Sequence, residues 1–252
     1  MLSESRLSPP RQPWGLISSG HDALDGFLGG GLARGKVHEL FAGGGEAKEE
    51  GDEASAAGFA AMLAFIAQPP GKPLLWLRAD AAQRWIGRLD AAGFAALGGD
   101  PASLVLALVP DDVALLRGAA DALRCAGLGA VVIECLGNPK ALDLTATRRL
   151  SLAAERSGTT ALLLRIGARA APSAVETRWA VRAAPSEPLE AGAPGRPALD
   201  LKLLRRRAGP AGMRWRVEWD SEERCFREPA LSGAVLPVPF GGSDAIRRAA
   251  SG

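Results

Sequence analysis

Five short apolar runs recur along the first two thirds of the chain, roughly 30 residues apart, a spacing typical of units made of one strand and one crossover helix. The near-continuous hydrophobicity of each run is typical of strands that are buried on both faces of a parallel sheet. Such a sheet carries helices on its faces. We therefore predict parallel strands at residues 36–42, 73–78, 103–108, 130–136 and 160–166.

Helical patterns fill the gaps between these strands. Residues 54–67 are rich in alanine and carry larger apolar side chains at helical spacing, which predicts a buried helix. Residues 113–125 and 140–156 predict two more helices, the first of them capped by Asp111 or Asp112. The alternation of strands and helices predicts an α/β fold with a mainly parallel sheet.

The pattern changes after residue 166. Residues 177–184, 198–207 and 213–220 alternate apolar and polar side chains with the two-residue period of half-exposed strands, and residues 208–212 (AGPAG) suit a hairpin turn. We expect an antiparallel β extension at the C-terminal side of a mainly parallel sheet flanked by helices. The expected organisation is a flexible N-terminal arm at 1–15, a core domain at 16–227 and a flexible C-terminal tail at 228–252.

The composition narrows the classes of function. The 252 residues carry a net charge of only +2, so any basic binding surface must be local. The three cysteines form no C-x-x-C pair, which argues against a disulfide framework or a zinc site. No apolar run approaches the ~20 residues of a membrane helix, and the N-terminal residues resemble no secretory signal. These features predict a cytoplasmic protein.

The turn after the first predicted strand is where a protein of this class would hold a phosphate group. A phosphate-binding loop reads G-x-x-x-x-G-K-S/T, but residues 43–55 read GGGEAKEEGDEAS and fit that pattern in no register. Residues 46–53 contain five carboxylates and one lysine, and each carboxylate repels a phosphate charge by about 1 kcal/mol at roughly 4 Å in water. We therefore predict no nucleotide or other cofactor and no catalytic activity. An ATPase with an unusual phosphate loop is the alternative.

The remaining chemically active side chains are predicted to be structural. Glu134 ends the fourth strand, where nucleotide hydrolases often place a metal-binding carboxylate, but no other feature of a metal site accompanies it. Asp80 ends the second strand and is predicted to cap a helix that begins at Ala81. Four more residues are predicted to have no catalytic or metal-binding role: His21, His38 and the presumed core residues Cys125 and Cys135.

The strongest surface feature lies in the last two predicted strands. Six cations and no acid occur between residues 202 and 216, and Trp215 and Trp219 are interleaved with them. Arginines and indoles together can bind phosphates and stack bases, so we predict a surface that binds DNA or an acidic partner. The alternative is a basic edge strand whose charges prevent aggregation. The candidate binding residues are Lys202, Arg205, Arg206, Arg207, Arg214, Trp215 and Arg216.

A strict two-residue period assigns these cations to the faces of the strand. It places Lys202 and Arg206 on one face and Arg205 and Arg207 on the other. Because arginine is rarely buried unpaired, at least one cationic face must meet solvent, DNA phosphates or acidic side chains. Replacing Arg205, Arg206 and Arg207 by glutamate is expected to abolish binding and to leave thermal stability nearly unchanged.

Residues 17–39, which read ISSGHDALDGFLGGGLARGKVHE, resemble the segment that leads into the ATPase core of RecA-like recombinases. The resemblance implies a RecA-like fold over about residues 16–220. The chain departs from those recombinases at the phosphate loop, at Glu134, which stands in place of an aspartate, and in the short segments where DNA-binding loops would lie. The residues in register are Ser18, Ser19, Gly20, Ala23, Leu24, Asp25, Gly29, Gly30, Gly31, Leu32, Gly35 and Glu39.

A RecA-like core without a phosphate loop resembles the ImuA family of bacterial proteins, as do the TRW at 177–179 and the VEWD at 217–220. The resemblance implies an accessory protein of SOS-induced, error-prone translesion synthesis. It also implies two partners, an ImuB-like protein of the Y family and an error-prone replicative-type DNA polymerase. We therefore expect a non-catalytic binding protein of the DNA damage response that acts at the nucleoid. A SulA-like inhibitor of cell division, from the same superfamily, is the alternative.

Overall fold

The computed structural model describes residues 14–43, 52–186, 188 and 195–229. Within these ranges the chain forms a nine-stranded sheet with helices packed on both faces, together with a small two-stranded ribbon. The predicted N-terminal arm and C-terminal tail lie almost wholly outside the described residues, and so does most of the acidic loop.

The described residues contain eleven strands, two in the ribbon and nine in the main sheet. They are β1 (Leu16–Ile17), β2 (Leu32–Ala33), β3 (Val37–Ala42), β4 (Leu74–Ala79), β5 (Leu104–Val109), β6 (Ala130–Leu136), β7 (Thr160–Ile166), β8 (Thr177–Ala183), β9 (Ala198–Arg206), β10 (Arg214–Asp220) and β11 (Cys225–Arg227).

The main sheet has the strand order β11-β10-β9-β8-β3-β7-β6-β4-β5. The five strands predicted to be parallel are parallel, and β9, β10 and β11 extend the sheet in antiparallel fashion. Both predictions are confirmed. β8 joins the two parts, because it pairs parallel with β3 on one side and antiparallel with β9 on the other.

Six α-helices and one short 3₁₀ helix connect the strands in the described residues. They are α1 (Asp22–Leu28), α2 (Asp52–Ala67), α3 (Asp80–Ile86), α4 (Ala91–Ala96), the 3₁₀ helix (Pro101–Ser103), α5 (Asp112–Ala122) and α6 (Leu144–Ser157).

Aspartates begin several of these helices. Asp111 caps α5 and accepts a hydrogen bond from the backbone N–H of Ala114 at 2.8 Å, as predicted, and Asp143 caps α6 in the same way. The prediction that Asp80 caps the next helix is wrong. α3 begins one residue earlier than expected, so Ala79 holds the cap position without a side-chain bond. The Asp80 carboxylate lies instead in the first helical turn, where the helix dipole favours a negative charge.

The two faces of the sheet carry separate hydrophobic cores. On one face, α2 packs over a cluster that includes Trp179, Trp219 and Phe226. On the other face, α5 and α6 cover a second cluster around Leu115 and Ile133. Among the described helices, none is both long and apolar enough to span a membrane.

The RecA-like entry segment has a clear structural role. Asp25 in α1 accepts hydrogen bonds from the hydroxyls of Ser18 and Ser19, each at 2.7 Å, and from the backbone N–H of Ser19. Gly31 has a φ of +126°, and a Cβ at that position would overlap the carbonyl oxygen of Ile17. This part of the motif therefore holds α1 and the two strands β1 and β2 together.

Candidate nucleic-acid or partner interface

The antiparallel extension presents a cationic face to solvent. Exposed arginines of β8 and β10 surround the lysine in the middle of β9, and these strands form an open hollow of about 420 Å³. The arginine from β8 was not among the predicted binding residues, although the alternation of TRWAVRAA places it on the same face. The charged residues that line the hollow are Arg182, Asp200, Lys202, Arg214 and Arg216.

The strand register concentrates uncompensated charge at two of these residues. Asp200 lies opposite Arg216 and accepts two hydrogen bonds from its guanidinium, at 2.9 and 3.0 Å, which raise the pKa of Arg216. Lys202 lies directly opposite Arg214. Among the described residues, neither of these two side chains has a hydrogen-bond or ion-pair partner. Like charges in directly opposed positions of a sheet destabilise it.

Two of the predicted binding residues also make hydrogen bonds within the fold. Arg206 donates hydrogen bonds to the carbonyl oxygens of Phe27 at 2.9 Å and Leu28 at 2.6 Å, which satisfies acceptors at the C-terminal end of α1. Arg205 donates to the carbonyl oxygen of Ser173 at 2.8 Å. The expectation that all three consecutive arginines can be replaced without a loss of stability is therefore wrong.

The predicted assignment of the cations to faces is also wrong. The pairing of β9 with β8 shifts register so that Leu204 has no partner opposite it. Such a bulge interrupts the two-residue period. Lys202 therefore lies on the open face, whereas Arg206 reaches α1 on the opposite face. Arg207 follows the strand and remains exposed, with its guanidinium 3.9 Å from Glu155.

The indoles of β10 are largely buried, although Trp215 also borders the hollow on the open face. Trp215 is only 9% exposed and packs against Phe27, with ring centroids 5.3 Å apart. Trp219 is fully buried and donates a hydrogen bond to the carbonyl oxygen of Leu97 at 2.9 Å. Alternate residues of β10 point into the core, so little of the Trp215 indole is available to stack on a base. Its role in binding nucleic acid stays a prediction.

The region where a phosphate loop would lie is described only at its two ends. β3 ends at Ala42 and α2 begins at Asp52, and residues 44–51 lie outside the described residues. The charge argument for most of the acidic loop therefore stays a prediction. Asp52 is buried and accepts a hydrogen bond from the backbone N–H of Ala183 at 3.0 Å. A carboxylate thus stands in the first turn of α2 and ties it to the end of β8.

Glu134 is locked inside the protein by two donors. One carboxylate oxygen accepts from the Arg78 guanidinium at 2.7 Å and the other from the Trp76 indole N–H at 2.7 Å. Burial raises the pKa of the Glu134 carboxyl, and the charge of Arg78 opposes that rise. With both oxygens engaged and 3% of the residue exposed, Glu134 has the structural role that was predicted.

A second buried carboxylate was not identified as a site from the sequence. Glu39, in the central strand β3, is fully buried and accepts hydrogen bonds from Arg165 at 2.7 Å, Arg178 at 2.9 Å and Ser173 at 3.0 Å. Both guanidiniums also lie over the ring of Phe41. The signal in the sequence was Arg165 in the largely apolar β7, whereas Arg178 lies in a strand of alternating apolar and polar residues. The cluster joins β3 to β7, to β8 and to the segment between them.

The histidines are held by hydrogen bonds within the protein. In His38, Nε2 donates to the carbonyl oxygen of Ala33 at 2.9 Å, and Nδ1 lies 2.7 Å from the Thr177 hydroxyl. Burial lowers the pKa of His38 to about 4, so the ring is neutral at physiological pH. His21 caps α1 by accepting from the backbone N–H of Leu24. Within the described ranges, no three His, Cys, Asp or Glu side chains are grouped to hold a metal ion.

The two cysteines predicted to be core residues differ in burial. Cys135 lies in the core of β6, and burial raises the pKa of its thiol to about 12. Cys125 is exposed, so the prediction for it is wrong. The physical reason is that α5 ends at Ala122, and Cys125 lies in the turn that follows.

The fold resembles that of a solved recombinase. The crystal structure of the RadB recombinase matches with a TM-score of 0.53 at 14% sequence identity, over 85% of this chain and 100% of that chain. At this level of identity, the likeness shows the fold alone. It confirms the prediction of a RecA-like sheet.

Sequence comparison identifies closer relatives. No protein-family model matches the chain. Protein ImuA of Caulobacter vibrioides, from each of two strains, is 34% identical over 228 residues, which cover 85% of this chain and 80% of the relative. At this identity and coverage, the chain belongs to the ImuA family.

Proposed function

We propose that this chain is a non-catalytic binding protein, built on a RecA-like fold, that takes part in mutagenic DNA damage tolerance. In this proposal it brings an ImuB-like protein of the Y family together with an error-prone DNA polymerase during SOS-induced translesion synthesis in the cytoplasm. Membership of the ImuA family over 85% of the chain supports the biological process. The observation that carries the binding role is the uncompensated cationic face around Lys202 and Arg214.

The energetic cost of that face supports a role in binding. Opposite-charge cross-strand pairs stabilise a sheet by roughly 0.2–1 kcal/mol, and like charges in the same position destabilise it. Asp200 and Arg216 form the favourable kind of pair, whereas the neighbouring Lys202 and Arg214 form the unfavourable kind. A DNA phosphate or a partner's carboxylate would offset this repulsion. Binding of an anionic ligand would therefore account for a like-charge pair that folding of the sheet does not require.

The geometry of Glu134 supports the absence of catalysis. A carboxylate that holds a metal-bound nucleotide must offer at least one oxygen to the ion, but both oxygens of Glu134 accept bonds from buried protein donors. The carboxylate of Asp52 in the first turn of α2 also opposes a phosphate there. The competing candidate is an ATPase with an unusual phosphate loop, because other RecA-like cores bind ATP.

A double charge reversal on the cationic face tests the binding role. The variant Lys202→Glu/Arg214→Glu is compared with Arg84→Glu/Arg88→Glu, which makes the same change in charge at exposed positions in α3 and just after it. Binding to a fluorescent single-stranded 30-mer of DNA is measured by anisotropy across a series of salt concentrations. Co-purification with the Y-family-like protein is measured in parallel.

We expect the first variant to lose one of the two interactions and the control variant to keep both. If DNA is the ligand, the log–log salt slope of the wild type should exceed that of the variant by about 1.4, since each phosphate contact contributes about 0.7. If the ligand is the protein partner, only co-purification should fail. If Lys202→Glu/Arg214→Glu behaves as the wild type in both assays, the proposed binding surface is refuted. The alternative, a strand whose charges only prevent aggregation, would then stand.

A further inference from the structure

A second cationic surface lies between α5 and α6, apart from the face just described. Arg117 in α5 and Arg124 just after its end are seven residues apart, and so are Arg149 and Arg156 in α6. Seven residues make about two helical turns, so Arg149 and Arg156 lie on one side of α6. Arg117 and Arg124 line the same hollow. The four arginines line two adjoining hollows of about 440 and 590 Å³, which we call the α5–α6 groove.

The charge of the groove is largely unbalanced. Asp121 is the one acid among its described lining residues, and it pairs with Arg124 at 2.6 Å. Arg117, Arg149 and Arg156 are exposed and have no ion-pair or hydrogen-bond partner in the described part of the chain. Packing of the helices on the sheet does not require these three charges. They are therefore free to bind an anionic partner.

The groove also has an apolar component. Val113 and Leu152, which line it, are 55% and 53% exposed. Leu116 and Ala153 line it as well. No aromatic ring lines the described groove, so it offers no platform for stacking a base. A lining of aliphatic side chains and arginines fits a peptide that carries both leucine-like residues and carboxylates.

We propose that the α5–α6 groove docks an acidic amphipathic helix from a partner protein. The matching ligand is a helix that presents two carboxylates seven residues apart, which is the spacing of both arginine pairs. Its aliphatic residues would lie three or four positions after the first carboxylate, on the same face. Two helices that lie side by side offer a groove into which a third helix packs. This surface is separate from the cationic face and does not depend on the function proposed for it.

The test uses the full chain and a fluorescein-labelled 15-residue peptide of glutamate and leucine at amphipathic spacing. Arg149→Glu should weaken binding of this peptide at least tenfold, as measured by anisotropy. Arg148→Glu is the matched control, because Arg148 is the exposed neighbour on the same helix and does not line the groove. It should change the dissociation constant less than twofold.

A charge swap separates recognition from a general loss of affinity. The variant Arg117→Glu/Arg149→Glu should bind a peptide of lysine and leucine in the same pattern at least tenfold more tightly than the wild type does. Lys202→Glu/Arg214→Glu should bind the acidic peptide as the wild type does, so failure of the cationic face leaves this result intact.

Three results would overturn the inference. The first is an equal loss of binding in Arg148→Glu and Arg149→Glu, which would mean attraction by charge without a site. The second is displacement of the peptide by a single-stranded 20-mer of DNA that itself loses affinity in Arg149→Glu, which would make the groove a nucleic-acid surface. The third is no saturable binding of the acidic peptide to the wild-type chain.

Discussion

Replacing Glu39 by glutamine removes the acid that, among the described residues, compensates two buried arginines. The carboxylate accepts three hydrogen bonds, from Arg165, Arg178 and Ser173, at 2.7 to 3.0 Å. An amide of the same size keeps one acceptor oxygen but turns an N–H₂ group toward one of these donors. The variant therefore tests the charge and the bonds of the cluster without leaving a cavity.

The size of the effect follows from the burial of the three charged groups. Glu39 is fully buried, and the side chains of Arg165 and Arg178 are 5% and 11% exposed. Breaking a buried ion pair by removing one partner costs about 3–5 kcal/mol, because the other charge is left without compensation. For a domain of this size, a change of 1 kcal/mol shifts the midpoint temperature by roughly 2–4 °C. We expect Glu39→Gln to lower it by about 6–20 °C.

Urea unfolding followed by circular dichroism measures this loss, and a thermal scan measures the shift in midpoint. Glu155→Gln is the control, because Glu155 pairs with Lys36 at a similar distance of 2.8 Å but at a part-exposed position. Exposed pairs contribute only about 0–1 kcal/mol. If Glu39→Gln costs no more than Glu155→Gln does, the buried cluster does not hold β3, β7 and β8 together and the reasoning fails.

Three other predictions concern protonation, thiol reactivity and nucleotide. The pKa of His38 is about 4 in the folded chain and 6.5 when unfolded, so the unfolded state binds more protons in this window. The free energy of unfolding should fall by about 3 kcal/mol as the pH drops from 6.5 to about 4. His38→Gln should remove this pH dependence when the free energy is measured by urea unfolding at each pH, and an unchanged dependence would contradict the role given to His38. Iodoacetamide followed by mass spectrometry should modify Cys125 first, the half-buried Cys225 more slowly and Cys135 only after unfolding; equal rates would contradict this order. Calorimetry with ATP and magnesium should give no saturable heat, and a dissociation constant below about 100 μM would show that a nucleotide site exists.

The parallel strands of the sheet could be predicted because each one is encoded by a local run of apolar residues. Near-continuous apolar runs such as 130–136 and 160–166 can be satisfied only by burial on both faces, and both are fully paired parallel strands. The helix at 113–125 was predicted from its period and its aspartate cap, and it ends three residues early. Local patterns of this kind depend on residues close in the sequence.

The candidate site was harder to predict because its features depend on distant residues. The bulge at Leu204 arises from pairing with β8 and has no signature in the sequence of β9. The hydrogen bonds of Arg206 join residues 178 and 179 positions apart. The composition therefore predicted a cationic strand. It could not predict which cations contact α1 and which lie on the open face. The α5–α6 groove was missed because its arginines come from two separate helices.

The central position of β3 has a consequence for how this chain folds during synthesis. β3 lies between β7 and β8, and the bond from Arg165 to Glu39 spans 126 residues. At roughly 5–20 residues per second, a ribosome needs about 6–25 s to make that length. During this interval β3 has been made but neither of its neighbours exists. The nascent chain must therefore keep its central strand from other contacts until β7 and β8 emerge, so slow translation or a scarcity of chaperones should lower the yield of folded protein.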